Sequence, residues 1–340
     1  MKSVFAAAGL AVGSLVFAGS ACAQTSAQVY GVLDMWAGRS AFSGAGPATT
    51  AVNSGGIQTS YWGFGGSEEL GRGAKAIYAV EGYFQLDTGT AGRTPTDAMF
   101  ARNAYVGLQG AAGELKLGRV LNPLFVATAQ VNPFGGSIRL GPLLGQIWSA
   151  QMGRAVAGDT SWDNVVSYTT PVLAGFKLAV LAGLGETTYG NRTHNANASL
   201  NYTGGPLVGW LSVQRVRVGP GLATIGKTEQ NTYFTGGSYD FGVLKLYASW
   251  DTANTRDPDL KAKTKQAGVS VPAGAGSLLL SWARTDLTAP SVADRKRDTG
   301  AVGYDYALSK RSELYAIAHV DKASGAERAK TYALGMRHRF

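Results

Sequence analysis

The 340-residue sequence is poor in the groups that do covalent or metal chemistry. It has one cysteine, Cys22, so an intrachain disulfide is excluded. Its three histidines, His194, His319 and His338, fall in separate segments and show no metal-ligand spacing. Nothing resembling the G-x-S-x-G turn of serine hydrolases occurs. The glycine clusters Gly63-Phe64-Gly65-Gly66 and Gly71-Arg72-Gly73 are not followed by a helical pattern, so a phosphate-binding loop is excluded too. Beyond the first residues no run of 18 apolar residues appears, which rules out a transmembrane helix. Acidic residues are outnumbered by basic ones, 22 to 31. The basic residues are spread along the chain and form no patch, which argues against a nucleic-acid partner. These absences point to a protein that is not an enzyme and carries no cofactor.

What is present begins with a leader. Lys2 supplies a positive charge, and Val4 to Phe17 form an apolar stretch too short to span a bilayer. Ala21-Cys22-Ala23 fits a small-residue cleavage site, so residues 1–23 read as a signal peptide and 24–340 as the mature chain. Gly19 stands where a lipoprotein signal takes a branched apolar residue, which argues against acylation of Cys22. Glycine is abundant at 47, aromatic residues make up 10%, and mean hydropathy is near zero at -0.02. That balance suits apolar residues spread over an outer belt around a polar interior.

Along the chain apolar and polar residues alternate with period two, the mark of a strand with two different faces. Leu244, Leu246, Ala248 and Trp250 oppose Lys245, Tyr247, Ser249 and Asp251. Ala196, Ala198, Leu200 and Tyr202 oppose Asn195, Asn197, Ser199 and Asn201. About sixteen such segments of roughly ten residues follow one another, the length of a tilted strand crossing hydrocarbon. They are expected at 28–38, 57–68, 73–86, 99–110, 112–120, 161–171, 174–186, 194–204, 206–217, 229–240, 242–253, 261–272, 276–288, 295–307, 310–321 and 329–340. Short turns alternate with longer links. One link, about 120–160, is far too long for a connector, has no acid before Asp159, and reads as a loop folded into the lumen. The last strand ends in alternation on Phe340. The expected fold is all-β, a 16-stranded antiparallel transmembrane β-barrel with an inward-folded constriction loop. Trp36, Trp62, Trp210, Trp250 and Trp282 are expected in aromatic girdles at the membrane interfaces.

Several segments carry a family likeness. They include Gln28 to Asp34, Gly66 to Gly71, Arg102 to Leu108, Asn132-Pro133-Phe134-Gly135-Gly136, Tyr168 to Pro171, and Gly335 to Phe340. In order and spacing the sequence resembles the general trimeric porins of Gram-negative bacteria, in the branch common among beta-proteobacteria. The resemblance implies a homotrimer in the outer membrane, each subunit a passive pore for small hydrophilic solutes and ions. It also implies an eyelet in which wall cations face acids on the third external loop. Arg102 matches a wall arginine. Tyr61 stands where the family usually has arginine, Gly65 where lysine is usual, Ser161 where some relatives have another arginine, and Asn132 where an acid is common. Arg139 and Arg154 lie in or beside the loop and add positive charge.

Strand parity turns Asp34, Lys75, Glu81 and Arg102 toward the lumen and Arg119 outward. The expected pore lining is therefore Asp34, Tyr61, Lys75, Glu81, Arg102, Asn132, Phe134, Arg139 and Arg154, with a mild preference for anions. Two alternatives stand beside this reading. One is a substrate-specific channel of the same fold with Tyr61, Phe134 or Trp148 as a binding track. The other is an outer-membrane barrel hydrolase with His319 as base.

Overall fold

The computed structural model describes residues 25–150, 154–185, 194–217, 229–256, 259–290 and 292–340. The signal-peptide expectation lies outside them. The chain forms one antiparallel sheet closed on itself. Its strands are β1 (Thr25–Ser40), β2 (Thr49–Ser54), β3 (Tyr61–Gly71), β4 (Ala74–Tyr83), β5 (Asn103–Gly110), β6 (Gly113–Leu121), β7 (Ser161–Thr169), β8 (Phe176–Gly183) and β9 (Asn195–Gly204). They continue as β10 (Leu207–Val216), β11 (Gln230–Asp240), β12 (Lys245–Thr255), β13 (Leu260–Ala273), β14 (Gly276–Ala289), β15 (Val292–Ala307), β16 (Ser312–Ala323) and β17 (Ala329–Arg339). The barrel has sixteen staves because β2 and β3 together make one of them. β2 pairs with the far half of β1, Met35 to Ser40, and β3 with the near half, Thr25 to Val32. Residues 55–60 between them leave the wall.

Closure is made by β1 against β17, with Val32 opposite Arg339 and Arg39 opposite Tyr332. Gly31 and Phe340 then exchange two backbone hydrogen bonds of 3.1 Å. A closed sheet leaves no row of unpaired backbone groups, which hydrocarbon could not satisfy. The alternation in sequence becomes two faces. Val106, Leu108, Leu117, Leu211, Val213, Leu246, Leu280 and Val302 are exposed outward. Ser199, Ser212, Thr264, Thr285 and Thr299 are buried inward. Trp62, Trp250 and Trp282 are outward and exposed, as expected of a girdle. Trp36 and Trp210 are not: both are buried, Trp36 beside Phe134 and Trp210 beside Leu124 and Val131. Parity decides which face a side chain is on, and the inward loop decides whether that face is covered.

That loop, over its described residues 122–150 and 154–160, is folded inside. It holds two short helices, α1 (Pro123–Gln130) and α2 (Pro142–Ile147). Asn122 caps α1 by accepting the Leu124 N–H at 2.9 Å, and Pro123 follows with a fixed φ and no donor to waste. α1 packs on β9–β11 and α2 on β13–β15. Gln146 pins α2 to the wall by donating to Ala283 O and Thr299 Oγ1, both at 2.8 Å. The wall formed by β3–β6 is left on the other side of the lumen.

Candidate pore constriction

Three of the expected residues meet on that free wall. Glu81 on β4 is buried and accepts from Tyr30 Oη at 2.7 Å, from Asn103 Nδ2 at 2.5 Å and from the Arg102 guanidinium. The Arg102 guanidinium also lies over the Tyr61 ring, 4.1 Å from its centroid. An aromatic face carries negative potential, so Tyr61 supports this single arginine where the family resemblance leads one to expect a second. The Arg102 N–H donates to Glu81 O at 3.1 Å, which fixes the chain just before β5. Tyr30 and Asn103 were not anticipated from sequence. Tyr30 shares the inward parity of Asp34 on β1, and Asn103 has the parity opposite to the outward Val106 and Leu108, which was the available signal. Arg102 has the outward parity of β5 and reaches the lumen only because it lies just before the strand begins.

Other expected residues are placed elsewhere. Lys75 pairs with Glu69 at 2.6 Å beside the Gly71–Gly73 turn, six positions from Glu81 along β4, or about 20 Å at the rise of a strand. It belongs to the mouth and not to the eyelet. Asp34 faces inward yet is sealed. Its carboxylate accepts from the backbone N–H of Gly56, Ile57 and Gln58 at 2.8, 3.0 and 2.8 Å, and from Tyr315 Oη at 2.6 Å. It is the anchor that holds residues 55–60 inside the barrel. Glycine is required beneath it: a Cβ on Gly56 would fall 2.0 Å from Tyr315 Oη, and one on Gly335 only 2.2 Å from the Tyr315 ring.

Within the loop, Phe134 is fully buried against Trp36, Leu140, Leu279, Tyr315 and Ile317. Asn132 turns inward on its own backbone, donating to Thr128 O at 2.6 Å and Gly135 O at 3.0 Å and accepting from Phe134 N–H at 2.9 Å. Phe134 and Asn132 therefore shape and seat the loop tip and do not line the passage. Arg154 is buried in the wall contact, donating to Asp251 at 2.6 Å and Thr264 at 2.8 Å. It straps the returning loop to β12 and β13. Arg139, in contrast to Arg154, is exposed, and no carboxylate lies within ion-pair distance of it among the described residues. Although the residue is exposed, the protein packed around it inside the lumen partly desolvates its guanidinium and pulls it below the ordinary range, with only the more distant Asp87 charge opposing that. Trp148, the third member of the alternative track, donates to Thr128 Oγ1 at 3.0 Å and packs edge-on against Phe125.

Where the loop rejoins the wall, a charge cluster closes its root. Arg93 donates to Asp97 and to both oxygens of Asp159 at 2.7–2.8 Å, and Arg119 donates to Asp159 at 2.8 Å and to Asp163 at 2.7 Å. Arg119 points outward by parity, and a bulge at Asp163-Asn164 brings Asp163 to it. Burial opposes ionisation of Asp159 and Asp97, but the Arg93 hydrogen bonds outweigh it and hold both carboxyls below the usual range. Depressed carboxylates contribute stability that is complete above their unfolded value, near 3.9, and is lost as pH falls through the lower folded value. Protease resistance of residues 87–98 is therefore expected to persist at pH 5 and to fail only below about pH 3.9. Asp159→Asn should lose it already at neutral pH.

No group of three metal-ligating side chains occurs among the described residues. A sequence profile described as Gram-negative porin matches residues 6–338. Outer membrane porin protein 32 of Delftia acidovorans is 32% identical over 321 residues, covering 90% of this chain and 86% of that protein. An outer membrane porin protein of Bordetella pertussis is 29% identical with full coverage of both chains. Among solved structures, an anion-selective porin from Comamonas acidovorans superposes with a TM-score of 0.80 at 26% identity, covering 93% of this chain and all of that one. A loop L8 deletion mutant of OmpT of Vibrio cholerae, at 15% identity and a TM-score of 0.69, shares the fold.

Proposed function

Because the chain belongs to the Gram-negative porin family, and its inward loop carries two arginines and no acid before Asp159, we propose that it is a diffusion pore that favours small anions. The outer membrane is its location and passive diffusion its mode. Each solute moves down its own gradient through the gap between the loop and the β3–β6 wall, with no chemical step. The anion preference rests on one observation above the rest. Between residues 120 and 158 the loop has two arginines and no acid, so no carboxylate there faces Arg102 across the lumen. In a narrow aqueous path with low-dielectric walls, such a charge excess concentrates anions and repels cations. The Comamonas neighbour is an anion-selective porin by description, which supports the same sign.

The excess is small. Arg102, Arg154 and Arg297 each have a carboxylate partner, as do Arg337 and Lys116. The preference is accordingly mild, with Arg139 the main unpaired contributor among the described loop residues. We include assembly as a homotrimer in the proposal, on the family resemblance; sedimentation in detergent reads it. In a planar bilayer under a tenfold potassium chloride gradient, stepwise conductance with a zero-current potential on the chloride side is expected. A cation-side potential would refute the preference while leaving the pore intact.

A further inference from the structure

One cavity within the barrel is built for something other than bulk flow. It lies between the inward loop and the wall at β15–β16, at the end of the barrel that carries residues 41–60, and has a volume of about 250 Å³. Arg139, Ser149, Arg297, Thr299, His319 and Phe42 are among its walls.

Its chemistry is one-sided. Arg297 is 3% exposed and donates through Nε and Nη2 to the two Asp321 oxygens at 2.7 and 2.9 Å. Its third nitrogen, Nη1, is buried with no protein acceptor. His319 is equally buried, and its Nδ1 has no partner. Phe42 stands edge-on to the imidazole with centroids 5.8 Å apart, which holds the ring in place. Asp321 does not offer its charge to the cavity: Oδ2 also accepts the Ser43 N–H at 2.8 Å. Arg139 brings a second guanidinium with no ion-pair partner among the described residues. Thr299 Oγ1 is fixed by Gln146.

Guanidinium groups can only donate, and buried donors without acceptors are costly. The unpaired Nη1 of buried Arg297 and the unpartnered Nδ1 of buried His319, set in a small and partly apolar cavity with exposed Arg139 at its edge, call for an acceptor with several oxygens and a negative charge. A neutral polyol would supply oxygens but would gain nothing from the positive charge that exposed Arg139 adds at the cavity edge. We propose that this cavity is an oxyanion-binding subsite, taking a compact anion of phosphate size beside the eyelet. The occupant exchanges with the vestibule, so the subsite raises the local concentration of one anion class without plugging the channel. Its place on the solute's route rests on the pore reading, but the binding itself does not.

The test is calorimetric titration of the purified full chain in detergent with inorganic phosphate, at constant ionic strength in chloride. Saturable binding of one phosphate per chain is expected. Arg139→Gln should weaken it about tenfold or more, the effect of losing one charge-assisted contact. His319→Gln, which keeps an N–H donor, should weaken it less than His319→Leu. The paired replacement Arg297→Gln with Asp321→Asn, which strands no charge, should abolish it. If that pair does not fold, Arg139→Gln still decides, because it breaks no ion pair. Equal affinity in the parent and Arg139→Gln, or no saturable binding in the parent, would overturn the subsite. Bilayer conductance in chloride, measured on the same samples, separates this from failure of the pore reading: conductance without phosphate binding sinks only the subsite.

Discussion

Replacing Arg102 with glutamine is expected to swing the zero-current potential toward the cation side, and replacing Glu81 with glutamine to swing it the other way. The two side chains form one buried unit on the free wall, 17% and 6% exposed, so each substitution leaves the partner's charge uncancelled. A unit charge about 4 Å from a passing ion is worth about 1 kcal/mol in water and more where the wall excludes water. Because one wall charge shifts chloride and potassium in opposite senses, the difference is about 2 kcal/mol, roughly a thirtyfold change in the chloride-to-potassium permeability ratio, downward for Arg102→Gln and upward for Glu81→Gln. The barrel should survive Arg102→Gln because Tyr30 and Asn103 still donate to Glu81. The double variant removes both charges and should return near the parent value. If neither single variant moves the potential, the pair stands outside the conduction path and Arg139 alone sets the sign.

Arg154→Met is expected to loosen the constriction without opening the barrel. Its guanidinium and the Asp251 carboxylate are 4% and 0% exposed, so the substitution strands a buried charge. Breaking such a pair from one side costs about 3–5 kcal/mol, whereas exchanging both partners for apolar residues of similar volume is often neutral. The loop's return segment should then leave β12 and β13, producing a noisy open level in single-channel records and new protease sites near residues 150–158. The replacement of both, Arg154→Met with Asp251→Leu, should quiet the channel again. A quiet channel in the single variant would mean that Gln146 and the Phe134 contacts hold the loop unaided.

These two expectations also mark the limit of reading by parity. Fifteen of the segments expected from alternation became single strands at nearly the same residues, because a tilted strand between lipid and water has to alternate. The sixteenth, expected at 57–68, starts only at Tyr61, and its stave is extended by a strand outside the expected span. Asp34 pulls residues 55–60 inward, and β2 at 49–54 continues the stave. Nothing in local periodicity encodes an attraction to a carboxylate on the neighbouring strand. The same gap explains the site. Asp34 and Glu81, given inward parity, are buried, but parity carries no information on what lies over them. Phe134 and Arg154 were expected in the passage and instead hold the loop down, since an inward loop needs its own core and its own straps. Arg297 and Asp321, which carry the proposed subsite, were missed although both share inward parity with Thr299 and His319. Their significance appears only when the loop covers them.

The seam between β1 and β17 also constrains when the molecule can form. The Thr331 hydroxyl bonds to the Ala41 backbone across 290 residues of sequence, and the whole seam joins segments equally remote. Contacts of such range arise late, because a long stretch of chain must be ordered before they reward it. Every shorter length of this sheet has two raw edges, each able to pair with another chain. A partly assembled polypeptide is thus poorly tolerated in either water or hydrocarbon. Its survival depends on being escorted until the first stave can meet the last.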